Sequence, residues 1–269
     1  MKLLTFRGGA HPPDNKHWTS EKPVEDLLPM GDLVYPMGQH IGAPCKPIVE
    51  KGERVLVGQK IGEPQGPVSA AVYSSVSGTV KNIAELPTPP GMDVMSVVIE
   101  NDGLYEEAEP LMSRSFEDLA PDELRAIIKD AGIVGMGGAC FPAHIKLTPP
   151  ADRPIDHVII NGAECEPYLT SDYRMMLEEP DKIAEGARIL LQIFPQAHLH
   201  MAIEDNKPEA IKKMTEAFKG IDRASVDVLE TKYPQGGEKQ LIFAVAGREV
   251  PSGKLPADAG CVVTNTYTV

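Results

Sequence analysis

Apolar residues recur along the chain with two different periods, and the change of period divides it. From Pro47 to Ile83, short runs rich in Val and Ile alternate with turns, in PIVEKGERVLVGQKIG and then AAVYSSVSGTVKNI, punctuated by Lys51-Gly52, Gly58-Gln59 and Ser77-Gly78. That spacing predicts a small, tightly turned β-domain, and MSVVIEND at 95–102 supplies a strand to close it. After residue 115 the period becomes helical. Leu124, Ile127, Ile128 and Ala131 fall at i, i+3, i+4 and i+7, one apolar face. Pro121 in the first turn, Asp122 and Glu123 near the positive end, Lys129 late and Gly132 just beyond bracket that helix.

From residue 157 the elements alternate. HVIIN (157–161), HLHMAIE (198–204) and SVDVLE (225–230) read as strands. One helix is predicted over about 181–194, with Ile183, Ala187, Leu190, Leu191 and Phe194 inward. A second opens at Pro208 and carries Ile211, Met214 and Phe218, and a third runs to about Ala246. Strand–helix alternation implies a parallel sheet whose ligands bind at the carboxyl ends of the strands. The fold class is therefore α/β: a Rossmann-like parallel-sheet domain preceded by a small β-domain that resembles a barrel-sandwich, lipoyl-like fold. The expected boundaries are 1–103 and 115–269, with a polar linker at 104–114. A swinging-arm carrier would want a lysine at an exposed hairpin tip, and none lies between Lys60 and Lys81. Residues 1–34 read as an extended wrapping segment in which His11, His17 and Trp18 pack at the surface.

Composition narrows the function classes. A chain of 269 residues suits about two domains of ~150 residues each, and 42% hydrophobic with 24% charged residues is globular. The net charge of −13 argues against nucleic acid or an anionic membrane surface as the main partner. An anionic cofactor would need a local site that overcomes that field. No apolar run approaches ~18 residues, and MKLLTFRGGAHPP has too short an apolar core for a signal peptide, so a cytoplasmic location is expected. Cys45, Cys140, Cys165 and Cys261 are widely separated and form no C-x-x-C, so spacing supports neither a zinc ribbon nor an iron–sulfur cluster. His198 and His200 alternate on one strand face without an evident third ligand, and no metal site is assigned.

Three stretches carry candidate chemistry. In GMGGACFPAHIKL (135–147), Gly135, Gly137 and Gly138 lack a Cβ, so backbone amides can approach a bulky ligand, and Lys146 could add a compact countercharge. A tight turn between two elements is the plain alternative. The spacing is not the dinucleotide fingerprint, which would need glycine where Cys140 stands, and no Gly-Lys-Ser/Thr follows. In NGAECEPYLTSDYR (161–174), Glu164 and Glu166 lie two apart beyond Asn161 at a strand end; a solvated turn and a paired-carboxylate site both accommodate them. In YPQGGEKQL (233–241), Gly236 and Gly237 precede a helix, which suits an anion or an ordinary glycine-led helix start.

These three motifs, with the N-terminal GGAHPPDNK and QHIGAPCKPIV, resemble in order and spacing the RnfC family of electron-transport complex subunits, relatives of the NADH-oxidising flavoprotein subunit of respiratory complex I. The resemblance covers essentially the whole chain. It implies that Gly135, Gly137, Gly138, Lys146, Asn161, Glu164, Tyr233, Gly236, Asn265 and Thr268 contact FMN, and that Phe141, Glu166 and Glu238 face NADH. Two departures stand out: Ala163 where relatives often have Asp, and Cys140 where the family usually has glycine, which would crowd the flavin or nicotinamide or turn outward.

By the same resemblance the chain is an FMN-dependent, NAD(H)-handling electron-transfer subunit of an Rnf-type ion-translocating ferredoxin:NAD oxidoreductase. No acid–base catalytic residue is needed. Its partners would be the other subunits of a membrane-bound complex, with ferredoxin reached indirectly, and it would sit peripherally on the inner face of the cell membrane. RnfC-like proteins carry C-x-x-C-x-x-C iron–sulfur motifs further along, so the sequence to Val269 corresponds to their N-terminal part, and its ending VVTNTYTV reads as a strand or loop cut within the architecture. A cobalamin-reductase flavoprotein and a non-catalytic scaffold or quinone-site subunit of a sodium-pumping NADH:quinone reductase are the alternatives.

Overall fold

The computed structural model describes residues 3–111 and 114–269. The chain forms two compact units, residues 26–146 and residues 1–25 with 147–269.

The unit 26–146 holds the short β-runs: β1 (Asp32–Pro36), β2 (Lys46–Pro47), β3 (Arg54–Val55), β4 (Lys60–Glu63), β5 (Val72–Tyr73), β6 (Gly78–Pro87) and β7 (Asp93–Asn101). They pair antiparallel in two sheets, ordered β1-β7-β6-β3 and β2-β4-β5. Between them Tyr35, Met37, Cys45, Val55, Ile61, Val72, Val80, Val97 and Ile99 form one buried cluster, the core of a barrel-sandwich. The 95–102 run is a central strand, not a closing one, because β7 is flanked by both β1 and β6. The stretch expected to be a polar linker is partly paired: Val57 N–H donates to the Glu106 carbonyl and Ala108 N–H to the Val57 carbonyl, both at 2.8 Å. Met112 and Ser113 of that stretch lie outside the described residues.

The predicted helix forms as α1 (Pro121–Asp130). Glu123 Oε2 accepts the Ala120 N–H at 2.8 Å, satisfying a donor at the helix start, and Leu124 is buried. Lys60 Nζ pairs with Asp130 at 2.5 Å. Gly132 ends the helix at φ +68, and a Cβ there would run into the Ala71 carbonyl, so close packing as well as backbone conformation requires glycine. The glycine loop and a single turn, α2 (Ala143–Lys146), complete this unit.

The other unit is built on β8 (His157–Gly162), α3 (Ser171–Glu178), α4 (Pro180–Ile193), β9 (His198–Glu204), α5 (Pro208–Ala217), β10 (Ala224–Leu229), α6 (Glu238–Ala246) and β11 (Cys261–Asn265). The sheet is parallel throughout, ordered β10-β9-β8-β11. Alternation puts Val158, Ile160, Leu199, Met201 and Ile203 on one face, all fully buried. Ile159, Ala202, Leu229 and Val263 on the opposite face pack with Leu241 and Ile242 of α6.

Helix α3 was not foreseen, because SDYRMMLE lacks a clear apolar stripe. Its Thr170 makes no side-chain cap bond; a carboxylate from the β8 loop caps it instead. Pro180 then starts a new helix, since it has no N–H to donate and disfavours helical geometry at Glu179, which sits at φ −129. The N-terminal segment wraps this unit by β-pairing: Leu4 bridges Leu229 and Ala10 bridges Tyr233. Trp18 is exposed, His17 stacks near it, and His11 bonds the Thr231 carbonyl at 3.1 Å.

Candidate functional site

The chain steps outward from β8 to β9 to β10, then returns to the opposite flank of β8 for β11. At such a switch point the loops leaving the two neighbouring strands part, and ligands of open parallel sheets bind in the resulting crevice. Asn161 and Asn265 face one another there in register. Asn161 Nδ2 donates to the Gly236 carbonyl at 2.9 Å, and its Oδ1 accepts the Ala163 N–H at 3.2 Å. A Cβ on Gly236 would lie 3.3 Å from Asn161 Oδ1 and 3.4 Å from the Ala163 Cβ, so the β10–α6 loop approaches because position 236 is bare. Asn265 Nδ2 donates to Asp172 at 2.7 Å, and Thr266 donates through N–H and hydroxyl to the Asn161 carbonyl at 3.2 and 2.9 Å. Three loops are thus tied at one edge.

Glu164 sits within this edge. It adopts the left-handed region at φ +48. Its Oε1 accepts the N–H groups of Asp172 and Tyr173 at 2.7 and 3.4 Å, the place of an N-cap for α3. Its Oε2 is buried without a hydrogen-bond partner. Burial pushes the carboxyl up to about 7, although Lys207 and Lys16 pull it down. Burial also raises Asp172, against its bond from Asn265.

Two of these cations, and a third nearby, were missed in the sequence. Lys207, 2% exposed, donates to the Ala163 carbonyl at 2.7 Å and Asn206 Oδ1 at 3.1 Å, and pairs with Glu204 Oε2 at 3.5 Å. Burial pushes the Lys207 ammonium down and the Glu204 carboxyl up. Lys16 donates to the carbonyls of Glu164, Glu166 and Leu169. Lys232 donates to the Phe6 carbonyl at 2.6 Å, its ammonium 4.3 Å from the Phe6 ring centroid. Solitary lysines carry no periodic signal; only Lys16, the last residue of GGAHPPDNK, lay inside a stretch that attracted notice.

The remaining candidates of this unit surround the same edge. Thr268 N–H donates to the Asn265 carbonyl at 3.0 Å. Tyr233 is 42% exposed, next to a cis bond to Pro234, and Cys165 Sγ accepts the Gly236 N–H at 3.3 Å. Glu166 is exposed, and Glu238 opens α6 half-buried.

Gly135, Gly137, Gly138, Phe141 and Lys146 belong to the unit 26–146. There the loop closes on itself: Gly135 N–H donates to the Phe141 carbonyl and Ala143 N–H to the Ile133 carbonyl, both at 2.9 Å. Gly137 and Gly138 are exposed, and Gly138 takes φ +124 with open space where a Cβ would point. Phe141 is half-buried and Lys146 ends α2. Cys140 is held at φ +48, a region costing an L-residue about 1–2 kcal/mol. Glycine's greater unfolded freedom returns about 0.5–1 kcal/mol of that difference. Cys140→Gly is therefore expected to stabilise by about 0.5–1 kcal/mol, read as a higher urea midpoint at unchanged slope; a lower midpoint would show that the thiol packs favourably enough to outweigh the strain.

His198 and His200 make a polar chain of their own: His200 bonds His157 at 2.9 Å and Asp227 at 2.6 Å, and His198 bonds Ser225 at 3.0 Å. Among the described residues no group of three or more His, Cys, Asp or Glu is placed to hold a metal ion, and no helix is long and apolar enough to cross a membrane.

Residues 128–269 match the family described as the Nuo51 FMN-binding domain, and residues 4–104 match the RnfC barrel sandwich hybrid domain. The C subunit of the proton-translocating ferredoxin:NAD(+) oxidoreductase complex of Clostridium ljungdahlii is 50% identical over 268 residues, covering 99% of this chain and 58% of that protein. The Na(+)-translocating counterpart of Acetobacterium woodii is 47% identical over 270 residues, 100% of this chain and 61% of that protein. The chain thus spans about three-fifths of the length of these relatives. A chain of an NAD+-reducing NiFe-hydrogenase in the air-oxidised state superposes with a TM-score of 0.49 at 22% identity, over 60% of this chain and 33% of that one. With a barrel-sandwich followed by a parallel-sheet domain, each matching its own family, the chain belongs to the RnfC family.

Proposed function

We propose that this chain binds FMN and handles NAD(H) as the electron-transfer part of the RnfC subunit in an Rnf-type ferredoxin:NAD oxidoreductase. The observation that carries the proposal is the meeting of Asn161, Glu164, Gly236 and Asn265 at the switch point of a sheet whose span matches an FMN-binding domain. The residues fit such a cofactor: Glu164 Oε2 is buried and unpartnered, and the bare Gly236 lets the β10–α6 loop lie close against Asn161. Bound FMN supplies a ring that takes up a hydride and passes electrons on singly.

The protein's part is to bind and orient. Asn161, Glu164, Gly236, Asn265, Thr268 and Tyr233 are proposed as flavin contacts, as are Gly135, Gly137, Gly138 and Lys146. Asn161 and Asn265 are fixed by their own hydrogen bonds, so they would meet a ligand already oriented. Glu164, with its carboxyl near 7, can offer an acceptor or a proton at its free oxygen. Glu166 is exposed, and its carboxylate suits donors such as ribose hydroxyls or a carboxamide; Phe141 and Glu238 share the proposed NAD(H) role. NAD(H) dependence, either direction of electron flow, partner subunits, indirect exchange with ferredoxin and a peripheral position on the membrane's inner face belong to the same proposal. So does the assignment of 1–103 and 115–269 as its two functional domains, with iron–sulfur centres in a region beyond residue 269.

Anaerobic titration with FMN and then NADH, followed by flavin absorbance near ~450 nm, tests it. Tight FMN uptake and bleaching by NADH are expected, with Lys146→Ala weakening FMN and Glu166→Ala weakening NADH. FMN uptake without any response to NADH would remove the NAD(H) half of the proposal, and no uptake by either the wild type or Cys140→Gly would remove all of it.

A further inference from the structure

We propose that Lys16 is a positioning residue of this site: its ammonium is the internal template on which the Glu164–Leu169 loop folds, so the N-terminal segment sets the placement of Glu164 and Glu166. A lysine ammonium has three N–H donors and no acceptor. Lys16 spends all three on carbonyls of one loop, Glu164 at 2.9 Å, Glu166 at 3.0 Å and Leu169 at 2.6 Å, and is itself only 8% exposed. Its partners are backbone oxygens, so what it fixes is the course of the chain.

That course needs fixing. Glu164 at φ +48 and Tyr168 at φ +69 are both left-handed, neither is glycine, and they lie within one short loop. Residues in such sparsely populated conformations persist where their surroundings over-determine them, and three converging carbonyls around one cation do that. The grip is reciprocal. Tyr168 N–H donates to the Asp14 carbonyl at 2.7 Å, and Thr170 bonds Thr19 at 2.7 Å. Lys16 is in turn anchored through the Ala10–Tyr233 bridge, whose two bonds are both 2.8 Å. The side chains the loop presents are Glu164, with its free buried oxygen, and Glu166, with its exposed carboxylate. Lys16 also borders a cleft of about 70 Å³ shared with Glu204, Asn206 and Lys232, by which a small cation is expected to reach its position.

The ligand arm of this inference rests on the flavin and NAD(H) reading; the loop arm does not. Hydrogen–deuterium exchange on the whole chain without ligand reads the loop directly. In Lys16→Met, the bonded amides of Tyr168, Asp172 and Tyr173 are expected to lose protection by at least about tenfold while those of β8 and β9 keep theirs. In Lys16→Ala, added methylammonium restores protection and tetramethylammonium, which has no N–H, does not. FMN and NADH affinities follow the loop, falling in Lys16→Met and recovering in Lys16→Ala with methylammonium. Unchanged loop protection in Lys16→Met, or equal effects of the two cations, would overturn the proposal. If both variants unfold, melting curves with either cation at equal ionic strength decide it: selective recovery with methylammonium supports the template and its absence removes it. A rescued loop in a protein whose wild type takes up no FMN would leave the template standing and remove the flavin reading.

Discussion

Glu164→Gln is expected to abolish a loss of stability that the wild type suffers between pH 4.5 and about 7. The carboxyl titrates near 7 in the folded chain against 4.5 unperturbed, because burial disfavours its charged form. The folded state therefore holds this proton more tightly than the unfolded one, and stability falls with rising pH across that window. The contribution is complete below 4.5, declines as pH climbs, and is gone above about 7. Its size is about 3 kcal/mol for a shift of this magnitude. Glutamine keeps an oxygen to cap α3 and cannot ionise. Urea unfolding of both proteins from pH 4 to pH 8 should show their difference changing by about that amount in favour of the variant. Asp172 and Lys207 are coupled to Glu164 by charge, so the difference reports the ionisation of position 164 together with its influence on these two neighbours. A pH-independent difference would mean that Glu164 ionises as freely folded as unfolded, and that its lone oxygen is wet.

Lys207→Met should cost about 3–5 kcal/mol, the usual penalty for stranding one member of a buried ion pair. Lys207 and Glu204 are 2% and 1% exposed, so bulk water compensates little for the lost ammonium. The variant strands the Glu204 carboxylate and deprives the Ala163 carbonyl of its donor at 2.7 Å, immediately before Glu164. Adding Glu204→Gln should recover part of the loss, because the stranded charge goes while the Ala163 carbonyl stays unpaired. Chemical denaturation of the two variants separates these terms. A cost below about 1 kcal/mol for the single change would show that Glu204 simply takes up a proton and remains buried.

The regular elements were legible wherever burial is periodic. The inner strands β8 and β9 are buried along most of their length because both faces of the sheet are covered, so they stand out as apolar runs, and α1 and α5 announced themselves by stripe and by Pro at the start. Helix α3 escaped because it lacks an apolar stripe and its cap does not stand at the usual adjacent position: Glu164 reaches it from eight positions before Asp172, across the β8–α3 loop. The carbonyl-bound lysines escaped because their contacts are distant, Lys16 meeting its acceptors about 150 positions away. Asn161, Glu164, Gly236 and Asn265 were expected at the site from the resemblance to a flavin-binding family, whereas strand ends and glycine spacing by themselves left ordinary turns open. What could not be read was how much of that edge is held, besides by Asn161, Glu164 and Asn265, by lysines beneath it.

The pairing of Leu4 with Leu229 and of Ala10 with Tyr233 also imposes an order in time. Residues 26–146 form a compact unit of their own and can fold while the ribosome is still working. The N-terminal arm cannot dock at that stage, because its partners Leu229 and Tyr233 are made later. At roughly 5–20 residues per second it waits some tens of seconds for the β10 edge to emerge. Lys16 waits with it, so the acidic loop gains its internal template only once the arm has docked.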